Sequence, residues 1–183
     1  MEATTNFDDV RSILKEIAKS QKETDRITKR NAKLIGDLGN KFGSFTEGMA
    51  FPSMKKVLQK RFGMTTVTTR YTTHRGGDTI EIDVLGLANG EINTVVIVEV
   101  KSHLKPRDID QTLNILSRFT EYFPEHKGKK LYGILAFVDA SNEVIQQAEK
   151  AGLYTAHIHD ELFDLLPVNN FQPKDFSQVD AKN

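Results

Sequence analysis

Two short β-branched runs, residues 79–86 and 93–102, are bounded by turn residues and read as strands. Asn89-Gly90 between them is a hairpin signal. Residues 95–98 are apolar on both pleat faces, as expected of a central strand covered on both sides. Ile80, Ile82 and Val84 make one face of the first strand, and Val96, Val98 and Val100 one face of the second. A hairpin should bring these two rows to the same side of the sheet. A two-residue loop at Asn89-Gly90 would pair Val84 with Val95, which is the wrong parity. An odd loop such as Asn89-Gly90-Glu91, or a bulge, sets it right. The same parity gathers Asp83, Glu99 and Lys101 on the opposite face, with Asp83 diagonal to Glu99.

The chain before this hairpin is of two kinds. Residues 8–42 are polar, and Val10, Ile13, Ile17, Ser20, Thr24, Ile27, Asn31, Leu34 and Leu38 recur three and four apart, a heptad seam weakened by three polar positions. A long polar helix has little to pack on except another copy, so the seam predicts a homo-oligomer formed through this helix. Lying as an amphipathic helix on its own domain is the plainer reading. Gly36, Gly39 and Gly43 predict a joint after it. Residues 44–62 read as a second helix, kinked or restarted at Pro52, with Phe51, Met54, Leu58 and Phe62 as its apolar stripe. Glu47, four before Phe51, falls on that stripe; it is either an inward carboxylate or a first-turn acid favoured by the helix dipole.

Gly63 closes this helix, and residues 67–73 read as a strand. Pro106 opens a helix running to about Tyr122, with Ile109, Leu113, Leu116 and Phe123 as its apolar face. Residues 131–138 are a buried strand. Ser141 caps a helix that runs through Ala151 and ends at Gly152. Residues 153–159 form a last strand, a short helix is expected near Glu161–166, and the chain is polar from Pro173 onward, which predicts fraying. The order is that of a mixed α/β sandwich.

Composition narrows the class. Of 183 residues 38% are hydrophobic, enough for a core, which argues against wholesale disorder. There is no cysteine, so neither a disulfide frame nor thiolate chemistry. Neither a basic-then-apolar leader nor an apolar run of membrane length is present, so the expected setting is cytoplasmic, with no membrane partner. Net charge is zero, so any basic surface must be a local patch.

Two carboxylates close together repel, and a bound cation or a proton must relieve that. Oxygen donors of this kind suit Mg²⁺ or Mn²⁺, which would polarise a phosphoryl oxygen and activate water. Lys101 could orient the water or offset charge in the transition state. An inert Glu99–Lys101 ion pair on a strand end is the plainer alternative. Asp83, Glu99, Lys101 and Glu47 together make a more specific pattern than that pair alone. Other residues carry weaker signals. Lys105, Arg107 and Arg118 could meet phosphates, or simply be solvated. Gln111 and His103 could line the cleft. His157 and His159 alternate on one strand face, a possible metal-ligand spacing with no third ligand in view.

Ile82-Asp83, fifteen residues, then Glu99-Val100-Lys101 resembles the PD-(D/E)XK nuclease superfamily. The resemblance implies a restriction-endonuclease-like α-β-β-β-α-β sandwich, here with a long N-terminal helix. It implies Asp83 and Glu99 as metal ligands, Lys101 as the catalytic lysine and Glu47 as the acid from the first helix. Ile82 stands where the motif's name has Pro. The leader, with Lys22-Glu23-Thr24-Asp25-Arg26 and the later Leu38-Gly39-Asn40-Lys41-Phe42-Gly43-Ser44-Phe45-Thr46-Glu47-Gly48, is similar to uncharacterised cyanobacterial members.

The expected organisation is a helical, coiled-coil-like segment at 1–43, a nuclease-like domain at 44–172 and a flexible tail at 173–183. The expected activity is a Mg²⁺- or Mn²⁺-dependent DNA endonuclease. The alternatives are a catalytically inactive, oligomeric nuclease-fold module, or nucleic-acid binding without chemistry.

Overall fold

The computed structural model describes residues 7–159, 162–166 and 171–178, with the side chain of His159 outside that set. It opens with one helix, α1 (Phe7–Phe62). Asp8 and Asp9 lie in its first turn and Lys60 and Arg61 in its last, the distribution a helix dipole favours. α1 runs without a helical break through Gly36, Gly39 and Gly43, so the second helix expected at 44–62 is its continuation, while the division into two units falls at the expected place, Gly43. A glycine stops a helix by turning left-handed just past its end; Gly63, at φ 67°, does so, and the three earlier glycines do not. Inside a helix each costs only about 0.5–1 kcal/mol relative to alanine. Pro52 sits exposed within α1 without ending it.

The chain divides into two compact units, residues 1–42 and 43–183. In the first, Val10, Ile13, Ile17, Ile27, Leu34 and Leu38 are 41–67% exposed. The second holds the rest of α1 and a six-stranded sheet. Its elements are β1 (Thr66–Arg75), β2 (Asp78–Ala88), β3 (Thr94–His103), α2 (Pro106–Tyr122), β4 (Lys130–Asp139), α3 (Asn142–Lys150), β5 (Tyr154–His159) and β6 (Leu162–Leu165). The strands lie in chain order. β2 is antiparallel to both β1 and β3, β3, β4 and β5 are parallel, and β6 is antiparallel to β5. The helix expected near Glu161 is therefore strand β6; Glu161 itself lies outside the described residues. No described helix is long and apolar enough to cross a membrane.

Apolar layers cover both sheet faces. On one side Ala50, Met54, Val57 and Leu58 of α1 pack with Val84, Val96, Val98, Val100, Ile134 and Ala136. On the other, Ile109, Leu116 and Phe119 of α2 and Val144 and Ala148 of α3 pack with Ile80, Ile82, Val95, Ile97, Leu135 and Phe137. Ile97 and Val98 are wholly buried, each such side chain contributing about 1.5–3 kcal/mol. The β2–β3 loop is odd, as parity requires, but holds five residues, 89–93, with Ala88 paired to Thr94.

One expectation about the faces is corrected. Ile80 and Ile82 face α2, whereas Val84 faces α1. The neighbouring strand makes the same exchange: Val67 packs on the α1 side and Tyr71 on the α2 side. The change of side falls between the pairs Thr69–Val84 and Tyr71–Ile82, where Arg70 has φ 50°. A left-handed backbone at a residue with a Cβ costs roughly 1–2 kcal/mol, and here it lets both strands roll over.

The fraying expected from Pro173 does not hold for residues 173–178; residues 179–183 lie outside the described residues. Phe176 is 5% exposed and belongs to the α2-side core. Asp175 accepts the amides of Leu131 and Ser177, both at 3.0 Å, and the Lys174 amide donates to Gly152 at 3.1 Å.

Candidate functional site

Val84–Val98 is the last rung of the β2–β3 ladder. Carried one step further, the register sets Asp83 opposite Glu99 rather than diagonal to it. Past that rung the Val100 amide finds its acceptor in a side chain: Asp83 Oδ2, at 2.7 Å. A main-chain amide on a buried strand needs some partner, and the carboxylate supplies it where the strand does not. Glu99 and Lys101, two apart on β3, share a face, and Lys101 Nζ donates to Glu99 Oε1 at 2.6 Å. Their side chains are only 12% and 28% exposed. Glu47, on α1, has its Oε2 3.7 Å from the Arg70 guanidinium. It lines a cavity of about 220 Å³ with Gly48, Phe51, Thr69, Arg70 and Asp83.

The electrostatics tie these four together. Burial, and then the charge of Glu99, raise Asp83 from 3.8 to about 7, against the opposing pull of the Val100 amide; Glu47 adds to the rise. Burial also raises Glu99, outweighing the stabilising charge and hydrogen bond of Lys101, with Asp108 and Glu47 pushing the same way. For Lys101, desolvation pulls the ammonium down, but Glu99, Asp83 and Asp108 more than compensate and hold it protonated. The expected residues Glu47, Asp83, Glu99 and Lys101 therefore stand within one electrostatic neighbourhood.

Two members were not foreseen. Asp108, 5% exposed in the first turn of α2, accepts the Lys105 amide at 2.8 Å and acts on both Glu99 and Lys101. Its signal was present in Lys105-Pro106-Arg107-Asp108, a proline-led helix start with an acid at the third helical position. Arg70 had no signal, because its place depends on the strand opposite. The weaker candidates fare variously. His103 lies beyond Lys101 on β3, its Nδ1 2.6 Å from Asp139 Oδ2. Arg107 is exposed, and so is Gln111, which takes no part in these bonds. Arg118 is committed elsewhere: it bonds Asp78 at 2.6 Å and Tyr122, fastening the β1–β2 turn to α2. His157 lies against Phe137, ring centroids 5.5 Å apart.

Among the described residues no three His, Cys, Asp or Glu side chains gather closely enough to hold an ion by themselves. The pair Asp83 and Glu99 nonetheless fits a hard divalent cation. Mg²⁺ keeps several waters and takes one or two carboxylates together with a substrate phosphate. The raised proton affinity of both acids is what a cation would relieve.

Against known proteins, no curated sequence matches the chain. Two solved structures are similar. One is a structure of an EndoMS–dsDNA2 complex, with 15% identity, 61% of this chain and 45% of that one covered, and a TM-score of 0.38. The other is the crystal structure of a repair endonuclease from Pyrococcus abyssi, with 20% identity, 60% and 47% covered, and a TM-score of 0.38. The chain spans less than half the length of either. The likeness to a cyanobacterial group finds no support among these matches. A family model, described as a domain of unknown function, DUF8196, matches residues 50–165, and the chain belongs to that family.

Proposed function

We propose that the protein is a metal-dependent phosphodiesterase acting on DNA, built as a restriction-endonuclease-like sandwich. The observation that supports it most is the buried acid pair Asp83 and Glu99 beside a protonated Lys101, 2.6 Å from Glu99. A structural ion pair needs one acid per base; here a second acid is held against the first at a cost in proton affinity. The element order from α1 to β4 agrees with the α-β-β-β-α-β core.

Asp83 and Glu99 would hold Mg²⁺ or Mn²⁺, which when bound supplies Lewis acidity toward a phosphoryl oxygen. Asp83, which lines the cavity, is held for this by the Val100 amide, which engages Oδ2 and leaves Oδ1 outside that bond. Lys101 would offset the negative charge that grows on the phosphoryl and leaving oxygens as water adds and the P–O bond breaks. Asp108 and Glu99 keep that ammonium charged, and Glu47 adds to the field that draws a cation in.

The test is incubation of plasmid and linear DNA with the protein and Mg²⁺ or Mn²⁺. Wild type should nick or cut; Lys101→Ala should not, while keeping its circular dichroism. Cleavage by that variant at the wild-type rate would exclude the mechanism. A second reading, a non-catalytic module that keeps the fold, is favoured by the absence of a third acid close enough to complete an ion site among the described residues. It predicts no Mn²⁺ binding, or binding indifferent to Asp83→Asn.

The N-terminal helix gives the module its proposed assembly. Its exposed Val10, Ile13, Ile17, Ile27, Leu34 and Leu38 follow heptad spacing, and a second copy of the same seam would cover them.

A further inference from the structure

Arg70 stands in the interior of strand β1 with a left-handed backbone, φ 50°. Its neighbours Thr69 and Tyr71 pair with Val84 and Ile82, which places it across from Asp83. Glycine would take this conformation freely, and asparagine or aspartate more readily than arginine. The fold gains little in return from the side chain. Its ion pair with Glu47, the only one among the described residues, is 3.7 Å long and its side chain is 64% exposed, and exposed pairs of that kind contribute little. A strained residue that does not serve the fold points to use at a site.

The side chain's position says which use. It lines the same cavity as Glu47 and Asp83. Among the residues that line that cavity it is the positive group, on the wall formed by the edge strand; Lys101, on β3, is not one of them. The guanidinium is planar, always charged and weakly hydrated, suited to two parallel bonds to a phosphate. Without substrate, Glu47 holds it at a distance longer than a good hydrogen bond, a contact readily exchanged.

We propose that Arg70 binds a non-bridging oxygen of the DNA phosphate that enters the carboxylate cavity, and that Glu47 holds the guanidinium in place until substrate arrives. This rests on the DNA phosphodiesterase reading above. The strained backbone is what swings the residue to the cavity, since both strands roll over at this step and an ordinary β1 residue would face one core or the other.

Three measurements on full-length protein test it: thermal melting, affinity for a short fluorescent DNA duplex in Ca²⁺ across a salt series, and cleavage in Mn²⁺. Arg70→Gly should melt at or above the wild-type temperature. Its duplex affinity should fall about tenfold, the slope of log affinity against log salt should shrink by about 1, and cleavage should drop on the order of 10²-fold. Arg70→Lys should keep the salt slope and recover cleavage only in part, because a point charge does not replace the fork. Arg70→Gly that melts lower with unchanged affinity would make Arg70 a structural pin and overturn the proposal. So would wild-type cleavage and salt slope in Arg70→Gly while Asp83→Asn is dead, an outcome that leaves the phosphodiesterase standing. A wild type that neither binds the duplex nor cuts it would overturn both.

Discussion

Asp83 Oδ2 accepts the main-chain amide of Val100 at 2.7 Å, just past the point where β2 and β3 stop pairing. The bond fixes the carboxylate against β3 and distinguishes two substitutions. Asparagine keeps an oxygen for the amide and removes the charge; alanine leaves the amide without its partner. Asp83→Asn should therefore lose Mn²⁺ affinity by at least about tenfold in calorimetric titration with its melting temperature kept. Asp83→Ala should lose both, at a cost of about 1–3 kcal/mol in stability. Equal Mn²⁺ affinity in Asp83→Asn and wild type would remove Asp83 from the ion site.

The raised Asp83 sets the pH dependence of the metal-free protein. Its carboxyl titrates near 7 when folded and near 3.8 when unfolded. Between those values the folded protein holds a proton that the unfolded chain has lost, so stability falls as pH rises from about 4 to about 7 and levels off above. Asp78 has the opposite sign: its bond to Arg118 lowers it to about 2, and its stabilisation is lost only as pH falls below 3.8. The two windows do not overlap. Melting in chelator should decline between pH 4 and 7 in wild type, decline less in Asp83→Asn, and recover at pH 8 on adding Mn²⁺. A flat profile in wild type would mean that the acid pair is not strained.

Two glycines should respond in opposite directions. A Cβ on Gly133 in β4 would lie 2.6 Å from Leu153 and 2.8 Å from Leu116, so Gly133→Ala should destabilise by about 1–3 kcal/mol in urea titration. A Cβ on Gly39 in α1 meets nothing within 4 Å, and Gly39→Ala should raise helix stability by about 0.5–1 kcal/mol. A neutral Gly133→Ala would show that the α2–β4 contact is looser than drawn.

Removing residues 1–40 should move the mass measured by light scattering toward that of a monomer. The same result is expected in the full chain from Ile17→Lys combined with Ile27→Lys, which charges the seam at two turns. A mass unchanged by both would place any self-association elsewhere.

The sequence was legible where one short-range rule decided the outcome. The apolar run at residues 95–98 required a covered central strand, and parity then required an odd loop, which is enough to bring Asp83 beside Glu99 and Lys101. It was illegible where two strands decide together. Strict alternation puts Ile82 and Val84 on one face; the roll at Arg70 and Asp83 is a property of the pair, and neither residue announces it. Asp108 was hidden for a different reason, since a first-turn acid has a sufficient explanation in capping its own helix. The glycines in α1 marked the boundary between the two units at Gly43 but not a helix end, because ending a helix requires a particular backbone angle.

The clasp formed by residues 171–178 bears on how the chain should be cut for expression. The family match stops at residue 165, but Phe176 closes the hydrophobic layer under β4 and Asp175 terminates it at Leu131. A clone trimmed to the matched boundary would strip the lid from a finished core, and any instability it shows would belong to the scissors rather than to the domain.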